Sequence, residues 1–282
     1  MSFAPEIIAV VFGLASAFSW GTGDFAGGFA SKRVAPQVVV LLSHIIGAAF
    51  LVGLALFFDG GLPPTSDLWL GALSGLFGLG GILALYHGAA IGRMGVVAPL
   101  SALLSAILPV SFSFWLSGLP STTTLLGIGV ALIAVWLISS NGEHTAVSRK
   151  EIIYGLSAGL GFGLFFVFLS IAGQNSVYWP LVAGRLASIA ATAVWVYLAK
   201  LWTPLTRREL FPIAVAGVMD AAGNSFFVLA TRFGRIDIAA ILASLYPAVT
   251  IMFARVILDE RLVRLQWIGV GLALIALVLI AI

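Results

Sequence analysis

Ten mainly apolar stretches, each about long enough for one membrane crossing, fill most of this chain: 6–29, 36–57, 68–91, 96–117, 121–139, 152–172, 179–201, 210–231, 236–257 and 263–282. A helix rising about 1.5 Å per residue needs about 20 such residues to cross the roughly 30 Å hydrocarbon core of a bilayer. The breaks between the stretches carry charge or turn chemistry: Lys32-Arg33, Asp59-Gly60-Gly61 with Pro63-Pro64, Arg93, Pro120-Ser121, and 141–151. The sequence therefore predicts an all-α integral membrane protein of ten transmembrane helices, with no room for a soluble domain. Composition agrees: 61% of residues are hydrophobic and 9% charged, against roughly a quarter charged in soluble domains. The first basic residue is Lys32, so the N-terminus lacks the basic start of a cleaved signal peptide and the first span is expected to stay.

The chain also repeats itself. Gly127, Gly129, Ala131, Leu132 and Ile133 are answered by Gly269, Gly271, Ala273, Leu274 and Ile275, each 142 positions later. Gly13-Leu14-Ala15-Ser16 is answered by Gly155-Leu156-Ser157-Ala158, and Trp20-Gly21 by Phe162-Gly163, at the same offset. Pro109 and Pro247 mark the corresponding hairpins, ahead of Gly127 and Gly269, and the second hairpin is longer by one helical turn. The reading is a first five-helix repeat over 1–140, a connecting loop over 141–151 and a second repeat over 152–282. An odd number of helices makes the second copy enter the membrane from the opposite side. The repeats are then inverted, related by a pseudo-two-fold axis in the membrane plane, with any solute site near the midplane between them.

Orientation follows from Lys and Arg, which favour cytoplasmic loops. The loops after odd-numbered helices, with their flanks, hold eleven of them; the other side holds only Arg232 and Arg235, and Arg185 lies within helix 7. Both termini are expected outside. The patterns Gly23-x3-Gly27, Gly71-x3-Gly75 and Gly155-x3-Gly159-x3-Gly163 predict close helix packing, since a missing side chain lets backbones approach.

Ten spans in two repeats, Trp20-Gly21 in the first helix, the prolines at 109 and 247, and Asp259-Glu260-Arg261-Leu262 before a Gly-rich last helix together resemble the EamA family of the drug/metabolite transporter superfamily. The acidic-Arg-Leu turn is present in the second half only; Ser117-Gly118-Leu119-Pro120 replaces it in the first. The resemblance implies a multi-pass protein of the cell (inner) membrane that moves small organic solutes, such as amino acids or related metabolites, by alternating access, often outward. No cofactor is implied, and the partners expected are the lipid bilayer and a small solute, with the chain a monomer or homodimer.

Polar groups inside spans are costly and invite a role. Asp220 and Asn224 lie four apart on one face of helix 8; Asp220 is either a proton-coupling group or a partner that locks packing. Arg185 can bind a substrate carboxylate, pair with an acid, or snorkel to the interface. Asp24 stands four positions after Trp20, near the end of helix 1, where the Lys32-Arg33 loop can solvate it. Tyr86 and His87 in helix 3 and His44 in helix 2 are further buried polar candidates, though a lone His in a bundle is more often a satisfied structural residue than a relay. Tyr246 precedes Pro247, whose ring removes a backbone hydrogen bond; Pro109 and Pro247 are candidate hinges or plain kinks. Trp20 and Phe162 occupy equivalent places in the repeats. A central cavity lined by Trp20, Tyr86, His87, Phe162, Arg185, Asn224 and Tyr246 is the resulting expectation.

Rival functions find less support. The chain has no Cys and three His, with no His-Glu-x-x-His, and Ala72-Leu73-Ser74-Gly75 lacks the leading glycine of a serine-hydrolase elbow. That argues against an enzyme and against a metal site. No rings of one charge suggest a channel, and the scattered basic residues do not suit nucleic acid. A membrane-embedded solute sensor, or an uptake carrier for sugars or drugs, is the alternative to an exporter.

Overall fold

The computed structural model describes residues 5–91, 94–139, 148–202, 205–258 and 264–281. Within these, the helices are α1 (Pro5–Ser31), α2 (Pro36–Phe58), α3 (Thr65–Ile91), α4 (Met94–Ser117), α5 (Thr122–Ser139), α6 (Arg149–Ala172), α7 (Trp179–Leu198), α8 (Arg207–Phe233), α9 (Ile236–Ala243), α10 (Tyr246–Leu258) and α11 (Arg264–Ala281). Seven of them, α1–α4 and α6–α8, are long and apolar enough to cross a membrane, and shorter apolar helices accompany them. Arg93, the polar run at 141–147 and the Asp259–Leu262 turn lie outside the described residues.

Helix ends follow the local sequence. Ser148 and Glu151 form a reciprocal cap on α6, with Ser148 N–H donating to Glu151 Oε2 at 2.7 Å and Glu151 N–H to Ser148 Oγ at 3.2 Å. Thr206 and Glu209 do the same for α8. α4 stops at Gly118, which adopts φ +70°, a left-handed conformation that glycine takes without steric cost.

One span is divided. The sequence predicts a single helix over 236–257, and the structure instead has α9 and α10, separated at Ser244 and Leu245. Pro247 has no N–H to give the carbonyl four positions back, and it disfavours helical geometry in the residue before it. The chain closes α9 with Ser244 N–H on Ala240 O (2.9 Å), the Ser244 hydroxyl on the same carbonyl (2.7 Å), and a tight Leu245 N–H to Leu242 O bond (3.2 Å). Pro109 leaves α4 continuous.

The principal packing partners are α1 with α8 and α3 with α6; α4 with α6 and α1 with α9 and α10; α3 with α7 and α2 with α8; and α2 with α7, α5 with α11, α4 with α9. Exchanging α1 for α6, α2 for α7, α3 for α8, α4 for α9–α10 and α5 for α11 leaves this pattern unchanged. Atomic contacts repeat as well. A Cβ added at Gly13 would lie 2.8 Å from Leu242 Cβ, and one at Gly155 would lie 2.8 Å from Leu100 Cβ, both partners recurring at the same offset as the glycines. The largest apolar cluster, around Trp20, Phe166, Leu169 and Phe227, sits where α1, α6 and α8 meet.

Loops at one end of the bundle are tied to one another, both across and within the halves. Asp59, after α2, accepts from Ser176 Oγ (2.6 Å) and from Tyr178 N–H (2.9 Å), capping the start of α7. Asp67 accepts from Asn175 Nδ2 at 2.8 Å. Arg232 donates to Gly173 O and Gln174 O at 2.7 and 2.8 Å. Arg235 donates to Gly118 O at 2.8 Å and pairs with the fully buried Asp237 at 2.9 Å. Burial, and secondarily the Asp59 carboxylate, push the Tyr178 phenol above its usual range.

Candidate functional site

A cavity of about 90 Å³, measured as the space open to the centre of a water-sized sphere, lies between the two halves of the bundle. α1 contributes Trp20 and Asp24, and α8 contributes Asp220 and Asn224, each pair four positions apart and so on one helical face. The two helices cross at Gly23, where an added Cβ would lie 3.3 Å from the Asp220 backbone nitrogen. That close crossing places Asp24 and Asp220 within electrostatic reach of each other.

Polar contacts fix the rest of this wall. Arg185 Nη2 donates to Asp220 Oδ2; the arginine side chain is 8% exposed and the aspartate 33%. Trp20 Nε1 donates to Asn224 Oδ1 at 2.9 Å. Ser188 Oγ lies 2.9 Å from Arg185 O and 2.8 Å from His44 Nδ1; with its hydrogen on Arg185 O the His44 Nδ1 is the donor, and with its hydrogen on His44 that nitrogen accepts. His44 is buried and lines the cavity, and no described residue bonds to its Nε2.

The wall from α3 and α6 is mainly apolar, with Ser74 its polar residue. Phe162, Phe165 and Phe166 face Gly78, Leu79 and Ile82. Trp20 stacks on Phe166 with centroids 5.2 Å apart, and Phe166 on Phe227 at 4.8 Å. Four pairs of cavity positions stand at the repeat offset: Trp20 with Phe162, Asp24 with Phe166, Gly78 with Asp220, and Ile82 with Asn224. Each first-helix aromatic lies over a glycine of its partner helix. A Cβ at Gly223 would come 2.5 Å from Trp20 Cδ1, and one at Gly81 would come 2.7 Å from Phe162 Cδ1. The cavity thus has equivalent positions on both walls, with the charged groups on one.

Of the residues expected at the site, Trp20, Phe162, Arg185, Asp220, Asn224 and Tyr246 line this cavity. His87 is not among them; its Nδ1 lies 2.8 Å from Leu83 O and its ring stacks near Tyr154 and Trp195. Tyr86 belongs to α3, but its side chain lies outside the described residues. Pro109 is buried in α4 and does not line the cavity, and Pro247 follows the lining residue Tyr246. Asp24 departs from the sequence reading: α1 continues to Ser31, so the carboxylate sits about two turns inside the helix and faces the cavity instead of the loop. Its helical spacing from Trp20 was the available signal.

A bundle of such long apolar helices defines a multi-pass membrane protein, here with an internal cavity. The model of the EamA-like transporter family matches residues 7–140 and again 149–282. The chain belongs to that family, and is a membrane transporter of small solutes built from two EamA repeats. A solved crystal structure, described only as that of a protein, superimposes with a TM-score of 0.81 over 96% of this chain and 97% of its own, at 17% sequence identity; the likeness is one of fold. No curated protein matches the sequence.

Proposed function

We propose that this chain is a secondary transporter of the cell inner membrane, an exporter or exchanger of small amphipathic organic solutes. In this reading it works by alternating access: two inverted five-helix repeats, both termini outside, rock about the central cavity and expose it to each side in turn. The observation that carries the reading is the set of four pairs of cavity positions recurring at the repeat offset, which makes both walls equivalent parts of one repeated unit. Counterflow in proteoliposomes tests it. With unlabelled solute trapped inside, a carrier accumulates external label transiently, for at least one member of a panel of amino acids, amines and nucleosides. A solute that raises thermal stability yet never exchanges would identify a sensor instead.

Asp220 is the coupling group in this proposal. Arg185 holds it in the present state, and separation of the pair in the other access state would free it to take a proton. Asp220→Asn should then abolish accumulation driven by a pH gradient and leave counterflow intact. Unchanged pH-driven accumulation would remove Asp220 from that role, and loss of both activities would make the pair structural.

A further inference from the structure

We propose that the cavity binds the protonated amino group of a solute with an apolar or aromatic body, and that Asp24 is the counter-ion of that group. The inference rests on the carrier reading for its solute, but the site itself is argued from charge and shape.

The charged groups lining the cavity are Asp24, Asp220 and Arg185. Arg185 and Asp220 satisfy one another. Asp24 has no hydrogen-bond or ion-pair partner among the described residues, so the lining carries one uncompensated carboxylate. An unpaired carboxylate removed from bulk water is unfavourable until a cation joins it. A second observation points the same way. His44 is 7% exposed, lines the same cavity, lies 2.8 Å from Ser188 Oγ through Nδ1, and has no described partner at Nε2. In the tautomer that donates from Nδ1, Nε2 is a lone-pair acceptor open to an N–H donor in the cavity.

Other ligand chemistries fit less well. Among the described residues no group of three or more His, Cys, Asp or Glu could hold a metal ion. An organic anion would find the cationic group of the lining already engaged by Asp220, and Asp24 would repel it. The position equivalent to Asp24 is Phe166, so beyond the charged end the cavity offers apolar wall. Tyr246, within electrostatic reach of Asp24, and the Trp20 ring supply aromatic faces that attract cations. The complement of such a space is a compact amine head on an apolar body.

The test uses purified full-length protein and three probes of similar size: 2-phenylethylamine, 2-phenylethanol and 3-phenylpropanoate. Equilibrium binding is measured by calorimetry or tryptophan fluorescence. The amine is expected to bind at least tenfold more tightly than the alcohol, and the carboxylate more weakly than either. Asp24→Asn should erase the preference of amine over alcohol, while Asp24→Glu should keep part of it. Equal affinity of amine and alcohol in the wild-type protein, tighter binding of the carboxylate, or no binding of the amine would each overturn the assignment. So would an unchanged amine affinity in Asp24→Asn, which would leave a proton as the only cation for that carboxylate. The wild-type comparison decides the matter even if a variant fails to fold. Amine binding without counterflow would leave the site standing and remove the carrier reading; counterflow of another solute without amine binding would do the reverse.

Discussion

The Arg185–Asp220 pair joins α7 to α8, helices that otherwise share little contact. Taking one partner from a buried pair strands the other charge, which costs about 3–5 kcal/mol when both are enclosed. Asp220 is a third exposed to the cavity, and water there screens part of the interaction. We therefore expect Arg185→Met to destabilise the protein by about 2 kcal/mol and Asp220→Asn by less. The double variant should lose less than the sum, with a coupling of about 1–2 kcal/mol, read from unfolding titrations in mixed micelles. Additive losses would mean that the pair contributes nothing. Arg185, Asp220 and Asn224 were legible in the sequence because charge and amide groups inside a membrane-length apolar run are expensive. Asp24 was not, because an acid near a span boundary reads the same whether it meets water or a cavity; the α1–α8 crossing at Gly23 decides. His87 shows the other side of that ambiguity: it bonds to Leu83 O and is not part of the cavity lining, since a polar residue in a span need not face the centre.

Helices here touch through glycine, and the contacts differ in what they tolerate. A Cβ at Gly75 would lie 2.2 Å from Gly184 O and 2.4 Å from Gly184 Cα, backbone atoms that cannot rotate aside. At Gly80 on the same helix nothing lies within 4 Å. Alanine raises helix propensity over glycine by up to about 1 kcal/mol, so Gly80→Ala should be neutral or mildly stabilising. Gly75→Ala must push α3 from α7, and should lower stability by about 1–3 kcal/mol, the usual range for overpacking. Thermal denaturation of the two variants checks this; equal behaviour would contradict the packing described. The glycine spacing showed which helix faces pack, but not against which partner. The proline at 247 was equally visible, and its effect was not. At Gly21 the first turn of α10 docks backbone to backbone on α1, with Tyr246 O 2.6 Å from where a Cβ would be and Thr250 Oγ1 donating to Gly21 O at 3.1 Å. At the equivalent Gly163, α6 meets the Leu108 side chain instead. Similar prolines in the two repeats therefore meet different neighbours, and only one divides its helix.

For the whole molecule, the constant offset between matching positions announced two copies of one unit, and the packing pattern is unchanged when the copies are exchanged. What the offset did not reveal is the difference between the walls: Asp24, Asp220 and Asn224 stand where the other copy has Phe166, Gly78 and Ile82. A symmetric frame around an asymmetric site suits a carrier that turns the same cavity toward two compartments. A chain without cysteine allows that to be tested at one atom. Ile82 is half-buried and lines the cavity, so Ile82→Cys places a reachable thiol on its wall. The measurement is its reaction with a membrane-impermeant thiol reagent in right-side-out and inside-out vesicles, with and without transported solute. Alternating access predicts labelling from both faces, with bound solute protecting the thiol. Labelling from a single face under every condition, or from neither, would contradict the account.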